Sequence, residues 1–132
     1  MKRTEFKQGQ TIFDQGDRSD LCYKIERGAV EIRIASYDGT GTLRTVVAQT
    51  LEHGEVFGEM GIIDDAPRSA SAVATKDTTC VAYTANEIMG LLETNPKEAM
   101  AYIHTLIRRL RDSNVKILVA DSGNEQPARR SR

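Results

Sequence analysis

The chain has 132 residues, with 18 Lys and Arg against 19 Asp and Glu, a formal net charge of -1, and two cysteines. That length holds one domain with a real core and leaves no room for a second of comparable size. The near-neutral charge excludes a global field that would draw the chain to nucleic acid or an anionic membrane, and two cysteines exclude a disulfide framework or a thiolate metal cluster.

The N-terminal stretch MKRTEFKQGQ lacks the apolar run of a signal peptide. No segment approaches the roughly 20 apolar residues that a membrane span needs. A soluble protein of the reducing cytoplasm is therefore expected, with no membrane partner, and with Cys22 and Cys80 as core residues among alternating apolar neighbours.

The first two thirds is punctuated by Gly9, Gly16, Gly28, Gly39, Gly41, Gly54, Gly58 and Gly61, with short alternating segments between them. Such punctuation predicts compact antiparallel β-structure. Leu21, Tyr23 and Ile25 alternate with polar neighbours, as do Val30, Ile32 and Ile34, and Arg27-Gly28 reads as a tight connection between the two runs. SYDGTGTL then supplies an Asp-Gly turn ahead of LRTVVAQTL, so a meander or roll is the economical topology. SASAVA and TCVAYT are two further strands. From Ala85 the period changes: ANEIMGLLETNP predicts a short helix ending before Pro96, and Lys97 to about Ala120 a longer one. The fold class is mainly β with flanking helices, and the polar residues 121–132 are expected to form a disordered tail.

Residues 57 to 74, FGEMGIIDDAPRSASAVA, pose the functional question. Gly58 and Gly61 permit conformations that residues with a Cβ avoid, letting amide groups turn inward as an anion-binding concavity. Arg68 can meet a phosphate through a forked, charge-assisted pair that Lys cannot reproduce. A carboxylate such as Glu59 repels phosphate but accepts from a sugar hydroxyl, as acidic residues do for ribose in dinucleotide sites. Ser69, Ala70 and Ser71 are small enough to leave room for a ligand, and the Ser69 hydroxyl can donate to it. Together these groups suit a nucleotide. The plainer alternative is an internal Glu59–Arg68 ion pair closing a surface loop of ordinary turn residues.

Other chemistries find less support. Asp64 and Asp65 have no third ligand near them in sequence and suit capping or solvating a turn rather than holding a metal. His53 and His104 do not make the histidine cluster of a metal-dependent β-barrel enzyme, and no nucleophile–base pair stands out, so neither catalysis nor a metal is expected. In the longer helix Ile103, Ile107, Leu110, Asn114 and Ile117 recur at spacings of four and three, the seam of a short coiled coil. That seam serves either a homodimer through residues 103–117 or packing on the chain's own β-structure.

The segment from Phe57 to Ala70 resembles the phosphate-binding cassette of cyclic nucleotide-binding domains, the sensors of bacterial catabolite activators, cyclic-nucleotide-dependent kinases and gated channels. Phe57, Gly58, Glu59, Pro67, Arg68, Ser69 and Ala70 match its F-G-E…P-R-small-small form with the family's spacing, and GAVEI and LEHGEVFGE are further landmarks between about Gly9 and Asn114. The resemblance implies an antiparallel, jelly-roll-like β-roll with a short cassette helix and C-terminal helices. It places the domain, with a C-terminal lid and dimer helix, at residues 1–120. It also implies a cyclic nucleotide as ligand, with no cofactor, held by Phe57, Gly58, Glu59, Met60, Arg68, Ser69 and Ala70. In that family the glutamate takes the ribose 2'-hydroxyl and the arginine the cyclic phosphate. RRLRDSNVK resembles the activators' lid helix and puts Ser113 and Asn114 at its base-contacting positions, although Asn114 departs from the usual serine or threonine. Serine after the arginine is common in bacterial cyclic AMP sensors and threonine there tends toward cyclic GMP, so Ser69 favours cyclic AMP. With the sequence ending at Arg132 and no recognition helix in it, the expectation is a sensor that signals to a protein effector without direct DNA contact. The competing expectation is an interaction scaffold that keeps the β-roll and binds no nucleotide.

Overall fold

The computed structural model describes residues 1–18, 20–63 and 65–122, the side chains of 63 and 113–122 excepted. The strands are β1 (Lys2–Phe6), β2 (Thr11–Phe13), β3 (Cys22–Arg27), β4 (Val30–Tyr37), β5 (Leu43–Leu51), β6 (Val56–Phe57), β7 (Ser71–Ala74) and β8 (Thr78–Tyr83); the helices are α1 (Glu59–Ile63), α2 (Ala85–Thr94) and α3 (Pro96–Ser122). The strands form two four-stranded antiparallel sheets, ordered β1-β8-β3-β6 and β2-β7-β4-β5. This is the expected β-roll with flanking helices.

Alternation along the strands divides the apolar residues between two cores. Ile25, Phe57 and Cys80 of the first sheet meet Val30, Leu51, Ala72 and Ala74 of the second. On the outer face of the first sheet, Cys22, Val56, Val81 and Tyr83 pack with Ile88 of α2, and Ile62, Leu91, Leu92 and Tyr102 close over them. Among the described residues α2 and α3 therefore pack on the outer face of the first sheet, and that sheet ends in β6, directly before the cassette.

Two features depart from the sequence-based expectation. β3 and β4 do not pair; they belong to different sheets, and Gly28 turns the corner between them. Its φ of +105° and a would-be Cβ 2.4 Å from Thr78 Oγ1 leave no space for a side chain. β1 and β2 precede the first strand read from the sequence, and their register is set by distant partners, β8 and β7. The Asp-Gly hairpin is present between β4 and β5, with the Asp38 carboxylate accepting from the Thr40 hydroxyl, from Arg44 and from the amides of Thr40 and Thr42. Those bonds hold its carboxyl well below the usual range.

Thr84 caps α2 through reciprocal bonds with Glu87. α3 begins at Pro96, where proline is favoured, and continues to Ser122, two residues beyond the expected domain end. Most of the expected tail, residues 123–132, lies outside the described residues, as does Asp64. No described helix is long and apolar enough to cross a membrane.

Both cysteines are fully buried, and desolvation pushes each thiol from its ordinary 9.0 to about 12. In the native protein they should resist a thiol reagent at pH 8 and react on unfolding, because the thiolate is the nucleophile. Since the unfolded thiols ionise before the folded ones, stability should hold below about pH 9 and fall progressively as pH rises toward 12. Rapid labelling of both thiols in the folded state would contradict this burial.

Candidate functional site

Seven residues expected from the cassette, Phe57, Gly58, Glu59, Met60, Arg68, Ser69 and Ala70, line one cavity of about 270 Å³. β6 delivers Phe57 into the core, Gly58 breaks the strand with φ +81°, and α1 starts at Glu59. A Cβ on Gly58 would lie 2.8 Å from Arg68 Nη1 and 3.1 Å from the Phe13 ring, so glycine is required by both backbone and space. Gly61 lies within α1 and has no such conformation; among the described residues the left-handed one outside the glycines is Asp65, φ 55°.

Arg68 returns to the pocket from the loop after α1. Its backbone is fixed first: its amide donates to the Asp17 carbonyl and its own carbonyl accepts from Gly16, each at 2.8 Å. The guanidinium then donates from Nη1 to the Gly58 carbonyl at 2.7 Å and from Nη2 to the Leu21 carbonyl at 2.5 Å. It lies 3.9 Å above the Phe13 ring, whose neighbours Tyr23 and Phe57 form an aromatic cluster. Only 7% of Arg68 is exposed, and its Nε finds no hydrogen-bond partner. Burial pushes the guanidinium below its ordinary value. The side chain is thus a cation held by carbonyl dipoles and an aromatic face, with a donor to spare.

Glu59 is not its ion-pair partner, so the internal Glu59–Arg68 pair is not formed. Glu59 is 2% exposed, and its Oε2 accepts from the Tyr102 hydroxyl at 2.6 Å and from Arg109 Nη1 at 3.4 Å. Arg109 also donates to the Val56 carbonyl, while Arg108 pairs with Glu55 and Lys24 with Glu98 at 2.8 Å. Through these bonds one face of α3, carrying Tyr102 and Arg109 at helical spacing, is tied to Glu59 at the start of α1 and to Val56 of β6.

Phe13, Ile32, Ile34, Tyr102 and Arg109 complete the site or its immediate support and were missed from the sequence. Phe13, Ile32 and Ile34 reach the site from β2 and β4; for Tyr102 and Arg109 the signal was the second face of α3, where Tyr102, Thr105 and Arg109 repeat away from the seam of Ile103, Ile107 and Leu110. That seam does not pack on the β-roll; the three residues are 46%, 45% and 63% exposed. Met60 is likewise exposed, at the cavity rim. Ser113 and Asn114 fall in α3, but their side chains lie outside the described residues, as does that of Ile117. Among the described residues no cluster of His, Cys, Asp or Glu could hold a metal.

The cyclic nucleotide-binding domain family model matches residues 3–95. The cyclic AMP receptor protein of Thermus thermophilus is 34% identical over 116 residues, covering 88% of this chain and 52% of its own length. The CRP-like cAMP-activated global transcriptional regulator of Mycobacterium tuberculosis is 28% identical over 114 residues, covering 86% of this chain and 49% of its own. The crystal structure of the Thermus thermophilus catabolite activator protein superposes with a TM-score of 0.67 at 34% identity, over 90% of this chain and 54% of that one. The chain spans about half the length of the curated relatives it matches. With the β-roll, the cassette and a match over most of its length in agreement, this chain belongs to the cyclic nucleotide-binding domain family.

Proposed function

We propose that the chain is a regulatory sensor unit, spanning residues 1–120, that takes cyclic AMP in preference to cyclic GMP and transmits binding through the position of α3. The observation that carries this reading is the pairing, in one cavity, of a buried guanidinium with an unpartnered Nε and a separate buried carboxylate. A cation desolvated without an ionic partner is costly, so an anion that satisfies it gains more than it would from a solvated arginine. In the proposed pose Arg68 takes the cyclic phosphate, Glu59 the ribose 2'-hydroxyl, and the Gly58 to Met60 and Ser69 to Ala70 backbones flank the sugar-phosphate. Ile32 and Ile34 offer the base an apolar wall. Ser113 and Asn114 are assigned to the base from the lid helix.

The preference for cyclic AMP rests on Ser69 and on the relatives named as receptors for, or activated by, cyclic AMP. The exposed seam of Ile103, Ile107 and Leu110 favours a homodimer through α3, whose displacement a protein effector would read. The expectation of no DNA contact is withdrawn: one relative is by name a transcriptional regulator, and this chain spans about half of it. No catalytic role is assigned to the cavity.

Calorimetry with cyclic AMP and cyclic GMP tests the reading. Saturable one-site binding, tighter for cyclic AMP, is expected. Absence of binding by both nucleotides would leave the interaction scaffold, with the same β-roll, as the better account.

A further inference from the structure

The Tyr102 hydroxyl is the feature that the cassette reading does not absorb. Its ring packs against the cluster of Cys22, Val56, Val81, Tyr83 and Ile88, against which Ile62 of α1 also packs, so the side chain is held by the outer face of the first sheet and by α2. Burial, and then the bond to Glu59, raise the phenol well above its ordinary value, so it stays a donor. It reaches a carboxylate 43 positions earlier in the chain at 2.6 Å, shorter than the 3.4 Å contact from Arg109. Both contacts fall on Oε2. A carboxylate accepts at both oxygens, with about four lone-pair sites in all. Donors gathered on one oxygen fix the rotation of the group and leave the other to a ligand.

We propose that Tyr102 is a positioning residue for sugar recognition: by holding Oε2 of Glu59 it presents Oε1 to the ribose 2'-hydroxyl of the bound nucleotide. The inference rests on the assignment of Glu59 to that hydroxyl. It adds that selectivity for a ribose over a deoxyribose ligand is set from α3, by a residue that does not itself touch the sugar. It also gives Tyr102 a direction of effect. If the phenol occupied the place of the sugar hydroxyl it would compete with ligand, and its removal would tighten binding. Acting on the opposite oxygen, it supports binding, and its removal weakens it.

The test uses the full chain with cyclic AMP and 2'-deoxy-cyclic AMP as probes. Wild type is expected to prefer the ribonucleotide by about tenfold or more, the worth of a hydrogen bond to a charged acceptor. Tyr102→Phe keeps the ring and removes only the oxygen; it should cut that preference by about fivefold, chiefly through weaker cyclic AMP binding. In a Glu59→Gln background, with the carboxylate gone, Tyr102→Phe should change the preference no further. A general loosening of α3 would lower both affinities together and leave the ratio intact, so an unchanged ratio in Tyr102→Phe overturns the proposal while leaving Glu59 in its role. Tighter cyclic AMP binding by Tyr102→Phe also overturns it, making the phenol a competitor. Should Tyr102→Phe fold poorly by thermal melt, Tyr102→Trp, bulky and unable to place a donor at the same point, supplies the comparison: a wild-type ratio in it overturns the proposal, a reduced one supports it. A wild type that binds the two probes alike overturns the assignment of Glu59 and this inference with it.

Discussion

Arg68→Ala is expected to weaken cyclic AMP binding by tens to thousands of times, because truncating one member of a buried charged pair costs about 2 to 5 kcal/mol. Arg68 has a second task, since it satisfies the Gly58 and Leu21 carbonyls and lies over Phe13. Removing it leaves two part-buried acceptors unpaired, a loss offset in part by relief of the guanidinium's own desolvation. A net destabilisation of about 1 to 2 kcal/mol follows, visible as a fall in Tm of several degrees with circular dichroism unchanged. Arg68→Lys separates the roles: it keeps the charge but cannot reach both carbonyls and still present a donor to phosphate, so its affinity should lie closer to the alanine variant than to wild type. Affinity within a factor of two of wild type in Arg68→Ala would remove the phosphate from this residue.

The cassette was legible in the sequence because each of its requirements is local. Gly58 is needed where the chain turns out of β6, and Glu59 and Arg68 carry charges that no neighbour along the chain explains. The strands of the roll that alternate clearly, such as Val30 to Ile34, were legible for the same reason. β1 was not: in Lys2–Phe6 only Phe6 is buried, and the strand exists through its pairing with Thr78 to Ala82, more than seventy residues away. Arg27-Gly28 was read as a tight connection from local turn chemistry, whereas the sheet to which each flanking strand belongs is decided by tertiary pairing. The support of the site was hidden by distance. Phe13 of β2 and Tyr102 and Arg109 of α3 meet the cassette from two distant parts of the chain, and on α3 the apolar seam was the stronger periodic signal, although it is the face turned away from the pocket.

Arg109→Met is expected to reverse the order of effects expected at Arg68, costing stability in the free protein before it costs binding. Methionine keeps the unbranched stem and the helix propensity and removes the charge. Glu59 is 2% exposed and the Arg109 side chain 17%, and removing one partner of such a buried pair ordinarily costs about 3 to 5 kcal/mol. Here the contact is long, at 3.4 Å, and Tyr102 still serves the carboxylate, so a loss of about 2 kcal/mol is the better expectation, a fall in Tm of roughly 8 °C. The consequence for signalling follows from linkage. α3 holds the cassette through Glu59, the same group assigned to the nucleotide, so helix and ligand act on one carboxylate. If nucleotide steadies α3, then α3 must tighten nucleotide by the same factor, about 5 to 150-fold in typical couplings. In wild type, ligand at about 100 times its dissociation constant should add about 2.7 kcal/mol to folding stability and slow hydrogen exchange both from Glu59 to Ala70 and from Ile103 to Asp112. In Arg109→Met the cassette should still respond, the helix much less, and affinity should drop by the factor that the helix no longer supplies. Were the helix of wild type equally protected with and without nucleotide, and the affinity of the variant unchanged, α3 would be a structural or dimerising element and the nucleotide signal would have to leave the cassette by another route.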